Sequence, residues 1–383
     1  MEARKAVYGD EAMARRLVLA AEMCERGQRL LPPLASETHS AWSQHTRSLL
    51  GHMETNCSGF ATYHDSGWDP KLFDWPNLVE LRPPSGAWYK RLLADKDFTE
   101  LWKAPLLTGD QFWPSTSDGV PVVMDPDLGH QIRPERVQHL HHFLVLRRST
   151  GLGFNDLGMV IEFGGGTGDN AALLQEARQF HGQHMVLDLK AMSLLQEFFL
   201  QASGYRATMQ IPTLVSADAD ADADGPTEAN AVCRYNGTSG STLLLQTEDF
   251  SDAVTALKTL VGTSGSESQG PAAASTSVGT TLFLATWSLT EVAEHVRDKI
   301  LLHAQKFDAV LLTGWPEFDA IDNIAWLRRA AATAFADHQV CAWISPEMTS
   351  SFYVVALRES VKFCCVCGVG ILPPCIRHGM SQR

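Results

Sequence analysis

The chain has 383 residues, 45% of them hydrophobic, with 31 basic against 44 acidic side chains and a formal charge of −13. That length exceeds the usual size of one core, so one large domain with an extension, or two domains, is expected. The acidity argues against a nucleic-acid backbone as the main partner, since such binders display a basic stripe, and Arg147-Arg148 and Arg328-Arg329 are too short to make one.

At the start, Met1-Glu2-Ala3-Arg4-Lys5 leads into a mixed-charge, helix-like segment unlike a signal h-region. No apolar run approaches the ~20 residues that cross a bilayer. A cytoplasmic location with no membrane partner is therefore expected, and the glycosylation patterns at Asn56 and Asn236 are read as unused. The N-terminal third carries the aromatic weight: Trp42, Trp68, Trp75, Trp88, Trp102 and Trp113, with Phe73, Tyr89, Phe98 and Phe112. No strand pattern dominates there, and residues 86–102 and 133–148 read as helices. Residues 1–150 are taken as a helical cap over the open edge of a sheet, where a substrate would enter, with most of the aromatics as ordinary core.

The most informative stretch follows. Residues 157–162 read as a short buried strand ending in Glu162, and Gly164-Gly165-Gly166-Thr167-Gly168 then allow a tight turn with the backbone close to a ligand. Asp169-Asn170 offer N-caps for a helix with Leu173, Leu174, Ala177 and Phe180 on one face. A P-loop would need a Lys-Ser/Thr pair after the last glycine, and none follows Gly168. A dinucleotide fingerprint counted from Gly164 meets Asp169 where its third glycine belongs. A glycine turn with an acid before it and no anion-binding signature suits a cationic ligand.

Residues 184–189 repeat the pattern, a short apolar strand ending in Asp188-Leu189, with the acid near the spacing at which a strand-two carboxylate meets a ribose diol. Further strands are read at 206–211, 281–286 and 309–312. A final pair at 340–344 and 352–357 has no helical spacer, which implies a hairpin and one antiparallel edge strand on an otherwise parallel sheet. Between the third and fourth of these strands lies an insertion of about 213–280. Its Asp-Ala repeat (218–224) and Gly/Ser/Ala-rich run (262–277) read as flexible, with Leu243-Leu244-Leu245 as a candidate strand and 250–260 as a candidate helix between them. The repeat mimics the start of an EF-hand loop but has Ala231 where the bidentate glutamate belongs. Residues 361–383 form a Cys-rich tail. Cys364, Cys367, Cys375 and His378 have zinc-ligand chemistry, yet Pro373-Pro374 divides them, and no metal site is expected.

The glycine turn resembles motif I of class I S-adenosylmethionine-dependent methyltransferases, with Glu162, Phe163, Gly164, Gly166 and Gly168 filling its places. A narrower resemblance, over roughly residues 75 to 358, is to a sugar O-methyltransferase family. It is carried by Val186-Leu187-Asp188-Leu189, by Leu194-Leu195-Gln196-Glu197-Phe198-Phe199, and by the segment from Ala285 to Val292. The chain departs from that family at Lys190-Ala191, Thr286 and Val292.

The resemblance implies an α/β, Rossmann-like, seven-stranded and mostly parallel sheet with a C-terminal antiparallel hairpin. It makes 151–360 an S-adenosylmethionine-binding domain, with the cofactor held by Glu162, Gly164, Gly165, Gly166, Gly168, Asp188, Leu189 and Trp287. The activity it implies is methyl transfer to a small molecule, such as the hydroxyl of a sugar-like metabolite. S- or N-methyl transfer, a nicotinamide oxidoreductase on the same sheet, a cofactor-binding protein without chemistry, and a homodimer all stay open. A hydroxyl acceptor must lose its proton, so a base is sought. His142 and Glu291 are the candidates. His141 and His142 are adjacent on one helix, so both are not expected to face the site. Ser288-Leu289-Thr290-Glu291 also reads as a capping box for the helix running to 305. His141, Trp315 and Glu317 are candidates for contact with the acceptor.

Overall fold

The structure is a computed structural model that describes residues 10–30, 92, 94–103, 123–125, 130–132, 134–177, 179–202, 204–210, 242–247, 279–318, 321–345 and 351–358. Its centre is an eight-stranded sheet. In chain order its strands are β3 (Leu157–Phe163), β4 (Gln183–Leu189), β5 (Ala207–Gln210), β6 (Thr242–Thr247), β7 (Thr280–Thr286), β8 (Ala309–Gly314), β11 (His338–Ile344) and β12 (Phe352–Arg358). Two short hairpins lie outside it: β1 (Val123–Asp125) with β2 (His130–Ile132), and β9 (Glu317–Phe318) with β10 (Ile321–Asp322). The helices are α1 (Asp10–Leu30), α2 (Lys96–Lys103), α3 (Pro134–Thr150), α4 (Asp169–Glu176), α5 (Lys190–Ala202), α6 (Glu294–Ala304) and α7 (Asn323–Ala334).

Across the sheet the order is β11-β12-β8-β7-β3-β4-β6-β5. The Rossmann-like, mostly parallel sheet read from the sequence is thus present, with two corrections. An eighth strand has entered from the insertion: β6 pairs with β4, and β5 lies beyond it at the edge. Leu243 and Leu244 explain this, because their full burial beside β4 is worth roughly 1.5–3 kcal/mol each, more than the partly exposed β5 offers. The antiparallel strand is also not the edge. β12 lies between β8 and β11 and runs opposite to both, so the hairpin places its second strand inside.

From Met159 onward the period-two pattern of β3 sends alternate side chains to two cores, and a register shift between Leu157 and Met159 puts Leu157 on the same side as Val160. Leu157 and Val160 meet Leu140, Phe143 and Leu144 of α3 on one face, while Ile161 and Phe163 meet the layer of α6 and α7 on the other. Helix α3 ends where Gly151, at φ +76°, returns its N–H to the Arg147 carbonyl. Arg148 then reaches Asp95 and Asp97, tying α2 to α3. Helix α1 is docked against α5 through Ala20, Met23 and Cys24, with Arg26 paired to Glu197. The helix read over 133–148 is therefore confirmed, whereas of the one read over 86–102 only Leu92 and the stretch from residue 94 are described.

No helix among the described residues is long and apolar enough to cross a membrane. The Asp-Ala repeat, the candidate helix at 250–260, the Cys-rich tail, and Trp42, Trp68, Trp75, Trp88 and Trp113 lie outside the described residues.

Candidate functional site

The carboxyl ends of β3, β4, β7 and β8 open on one side of the sheet, and two groups of residues line them. The first is the glycine turn. Gly164 carries on from β3, donating to the Leu187 carbonyl at 2.9 Å, and Gly168 closes the turn on Gly165 at 2.8 Å. Gly164, Gly166 and Gly168 all have positive φ, at +73°, +55° and +90°. Two of these positions differ in what surrounds them. A Cβ on Gly164 would strike the Ser288 side chain, whose hydroxyl donates to the Gly164 carbonyl, while a Cβ on Gly166 would point into open space. Gly166 thus shows its backbone outward, where a ligand can come close.

Beside this turn stands Asp188. Its Oδ1 accepts the Leu189 N–H at 2.8 Å, and its Oδ2 accepts the Gln196 amide at 2.6 Å. The same amide nitrogen donates to the Gly166 carbonyl at 3.0 Å, so one side chain fixes both the turn and the acid. Desolvation pushes the Asp188 carboxyl up to about 7, against the lowering effect of its hydrogen bonds. Gln196 had no role in the sequence reading, although it belongs to the segment that carried the family resemblance.

Glu162 is placed differently from the expectation. It is 1% exposed, sealed beneath the turn. Asn170 donates to Oε1 at 2.7 Å, and His184 Nε2 stands 3.2 Å from Oε2, close enough to pair but bent away from hydrogen-bond geometry. The other His184 nitrogen is 3.3 Å from the Thr242 hydroxyl of β6. Nor does the following helix use the expected caps. Its N-cap is Gly168, with Asp169 accepting from Thr167 and Asn170 turned back to Glu162. The Leu189 side chain lies in the α1–α5 cluster.

The second group is aromatic. Trp287, at the end of β7, is the one non-glycine among the described residues with positive φ, at φ 64° and ψ −42°. Backbone strain of this kind gathers at functional sites. Its N–H reaches the Thr313 carbonyl at 2.8 Å, and its own carbonyl takes both the N–H and the hydroxyl of Thr290. The expected capping box is therefore absent: Ser288 donates to Gly164, and residues 288–291 form a separate short helical turn before α6. The Trp287 indole meets His142 at 4.9 Å, and His139 and Trp315 at 6.3 Å each. It was expected among the cofactor-binding residues; its strand is separated from that of Asp188 by β3, and the ring neighbours described for it belong to this aromatic group.

Around it, His141 and His142 both reach the Tyr353 hydroxyl, at 3.1 and 2.7 Å, although they are adjacent on α3. The tyrosine enters between them from β12. Burial pushes His141 down to about 4 and His142 well below its usual value, so both are neutral at pH 7. Trp315 donates its indole N–H to Glu291 at 3.0 Å. The turn carrying Glu291 is held by the fully buried Arg297, which donates to the Thr290 and Val292 carbonyls and to Asn323. Glu317 stands exposed on β9, at the rim.

No protein-family model and no curated protein matches the chain. Among solved structures, an O-methyltransferase family protein from Burkholderia thailandensis is similar at 12% identity over 58% of this chain, with TM-score 0.33. The match spans 57% of that protein's own length. The magnesium protoporphyrin IX methyltransferase of Synechocystis PCC 6803 is 10% identical over 73% of this chain and 97% of its own, with TM-score 0.33. An O-methyltransferase from neocarzinostatin biosynthesis is 14% identical over 91% and 96%, with TM-score 0.31. At such scores the likeness adds no weight to the fold, which rests on the strand order.

Proposed function

We propose that the protein is an S-adenosylmethionine-dependent methyltransferase acting on the hydroxyl of a small, sugar-like or otherwise hydroxylated molecule. The observation that carries this reading is the union of Gly166 and Asp188 through Gln196: an outward-facing glycine backbone and a half-buried carboxylate at adjacent strand ends. Ligands of open α/β sheets bind at such strand ends. Asp188 would hold the ribose hydroxyls, and the backbone of Gly164 to Gly168 would line the cofactor's path, with no phosphate to be met. Bound there, the cofactor supplies an electrophilic methyl on a sulfonium.

Every other requirement falls on the chain. Glu162, enclosed with Asn170 and His184, supports the turn from below instead of touching the ligand. Trp287 and Trp315 form an apolar wall for the acceptor, and Glu291 orients Trp315 through its indole N–H. Residues 1–150 supply α3, which brings the histidines to that wall, in keeping with a substrate-side cap. A dry pocket that holds both reactants in contact accounts for much of the acceleration such chemistry needs.

Calorimetry with S-adenosylhomocysteine tests the cofactor, and methyl-labelled S-adenosylmethionine with fractionated metabolite extract, read by mass spectrometry, tests the acceptor. Binding of the homocysteine product and a labelled oxygen ether are expected. Binding of a nicotinamide dinucleotide instead would overturn the reading.

A further inference from the structure

The Tyr353 hydroxyl lies between two imidazoles of α3, 2.7 Å from His142 Nδ1 and 3.1 Å from His141 Nδ1. A phenol has one proton, so it donates to one ring while the other offers its own Nδ1–H to the phenol oxygen. Hydroxyl donors make the shorter bonds and N–H donors the longer ones. The lengths therefore give the Tyr353 proton to His142 and an Nδ1–H to His141. A neutral imidazole that accepts at Nδ1 carries its proton on Nε2. In His142 that Nε2 has no hydrogen-bonding oxygen or nitrogen among the described residues. Its ring lies against the Trp287 indole, with centroids 4.9 Å apart and planes inclined at 64°, an edge-to-face class of contact in which an N–H can be drawn to an aromatic face.

We propose that Tyr353 is a positioning residue that fixes His142 as an Nε2–H donor against Trp287, and that His139 is the group that takes the acceptor's proton. His142 is 0% exposed, so it cannot meet an acceptor. His139, one turn earlier on α3, is the only one of the three histidines left partly exposed, with its ring 5.7 Å from His142 and 6.3 Å from Trp287. The first half of the proposal stands on geometry alone; the second rests on the methyltransferase reading. In that step the acceptor O–H breaks, its proton becomes the second N–H of a His139 imidazolium, and its electron pair stays on oxygen. The proton then passes to solvent. The strained backbone of Trp287 fits this arrangement, since its indole has to stand where the His142 edge holds it.

Nitrogen-15 NMR of histidine-labelled protein reads the tautomers without substrate, with His142 assigned by the signal lost in His142→Gln. A pyridine-like Nδ1 and pyrrole-like Nε2 are expected for His142, with the tautomer changed in Tyr353→Phe. A pyrrole-like Nδ1 on His142 of the unaltered protein overturns the first half, whatever the variants do. For the second, His139→Gln should slow methyl transfer from labelled S-adenosylmethionine to the extract's acceptor by ~10²–10⁴-fold, with S-adenosylhomocysteine affinity unchanged. An undiminished rate overturns it. Absence of S-adenosylhomocysteine binding to the unaltered protein would instead count against the proposed function, and the tautomer result would still stand.

Discussion

The two halves of the site are built on different principles. On the β3–β4 side, the groups proposed to face the ligand are backbone and one carboxylate, and the side chains that fix them come mostly from the same stretch of chain, residues 162 to 196, with Ser288 reaching in to hold the Gly164 carbonyl. On the β7–β8 side, the groups are the rings of the turns after β7 and β8, backed by fully buried rings from α3 and β12. On the proposed function the first half would recognise by hydrogen bonding and close approach, the second by shape and exclusion of water. A cofactor common to many reactions can be served by a local motif. An acceptor peculiar to one reaction needs a surface assembled from distant parts.

The largest effect should separate the halves outright. Gly164→Ala forces a side chain into positive φ and against Ser288, a strain of about 1–3 kcal/mol before the turn moves. Calorimetry should show S-adenosylhomocysteine binding lost. Gly166→Ala is the sharper control, since nothing crowds its Cβ: the fold should lose only about 1–2 kcal/mol while binding falls. Unchanged affinity in Gly166→Ala would move the ligand off this turn.

Next comes a break on the acceptor side. Arg297→Met leaves the Thr290 and Val292 carbonyls and Asn323 without their donor in a fully buried place. A loss of about 3 kcal/mol in chemical unfolding is expected, with cofactor affinity in the surviving native protein retained. Parallel loss of affinity would mean that the two halves are not independent.

Third is a pH effect confined to the cofactor half. The Asp188 carboxyl, raised to about 7 from an ordinary 3.8, binds a proton in the native state over a range where the unfolded chain does not. Its contribution to stability is thus present below about pH 4 and lost as the pH rises through about 7. Ligand binding runs the other way, because a ribose diol is held by the ionised form. S-Adenosylhomocysteine affinity should climb from pH 6 to pH 8 in the unaltered protein and stay flat and weak in Asp188→Asn. A flat profile in the unaltered protein would remove Asp188 from the ligand.

The smallest effect is expected for Glu291→Gln, which keeps an oxygen for the Trp315 N–H. If Glu291 only orients the indole, the transfer rate should change less than about tenfold. A fall of ~10²–10⁴-fold would make it the base.

This division also explains what was legible in the sequence. The glycine turn and Asp188 could be read because they follow their strands directly, and strand ends are where a period-two pattern stops. Gln196 was within the same stretch but had no visible partner, since its two targets converge only when α5 folds back over the turn. Glu162 was found as a residue but not its burial, because a strand-end acid looks the same whether it is open to a ligand or enclosed with Asn170 and His184. The pairing of Tyr353 with two adjacent histidines had no signal at all. It depends on β12 turning into the sheet interior, and hairpin patterns do not say which strand goes inside. The edge position of β5 was hidden for a similar reason, since β6 comes from a segment whose neighbours read as linker.

That edge position has a kinetic meaning. Among the described residues, the earlier strand, β5, has the later one, β6, as its neighbour in the sheet, so although the Gln201 amide of α5 already holds the Ala207 carbonyl, its strand pairing waits until β6 has been reached. Closing so long a loop is an entropic cost that must be met before any contact repays it. On this ordering the β3–β4 floor of the cofactor half can form early in folding, whereas pairing of the β5 edge waits for β6, in the middle of the insertion. In refolding experiments, amide protection in β5 should therefore arrive with β6 and after β3.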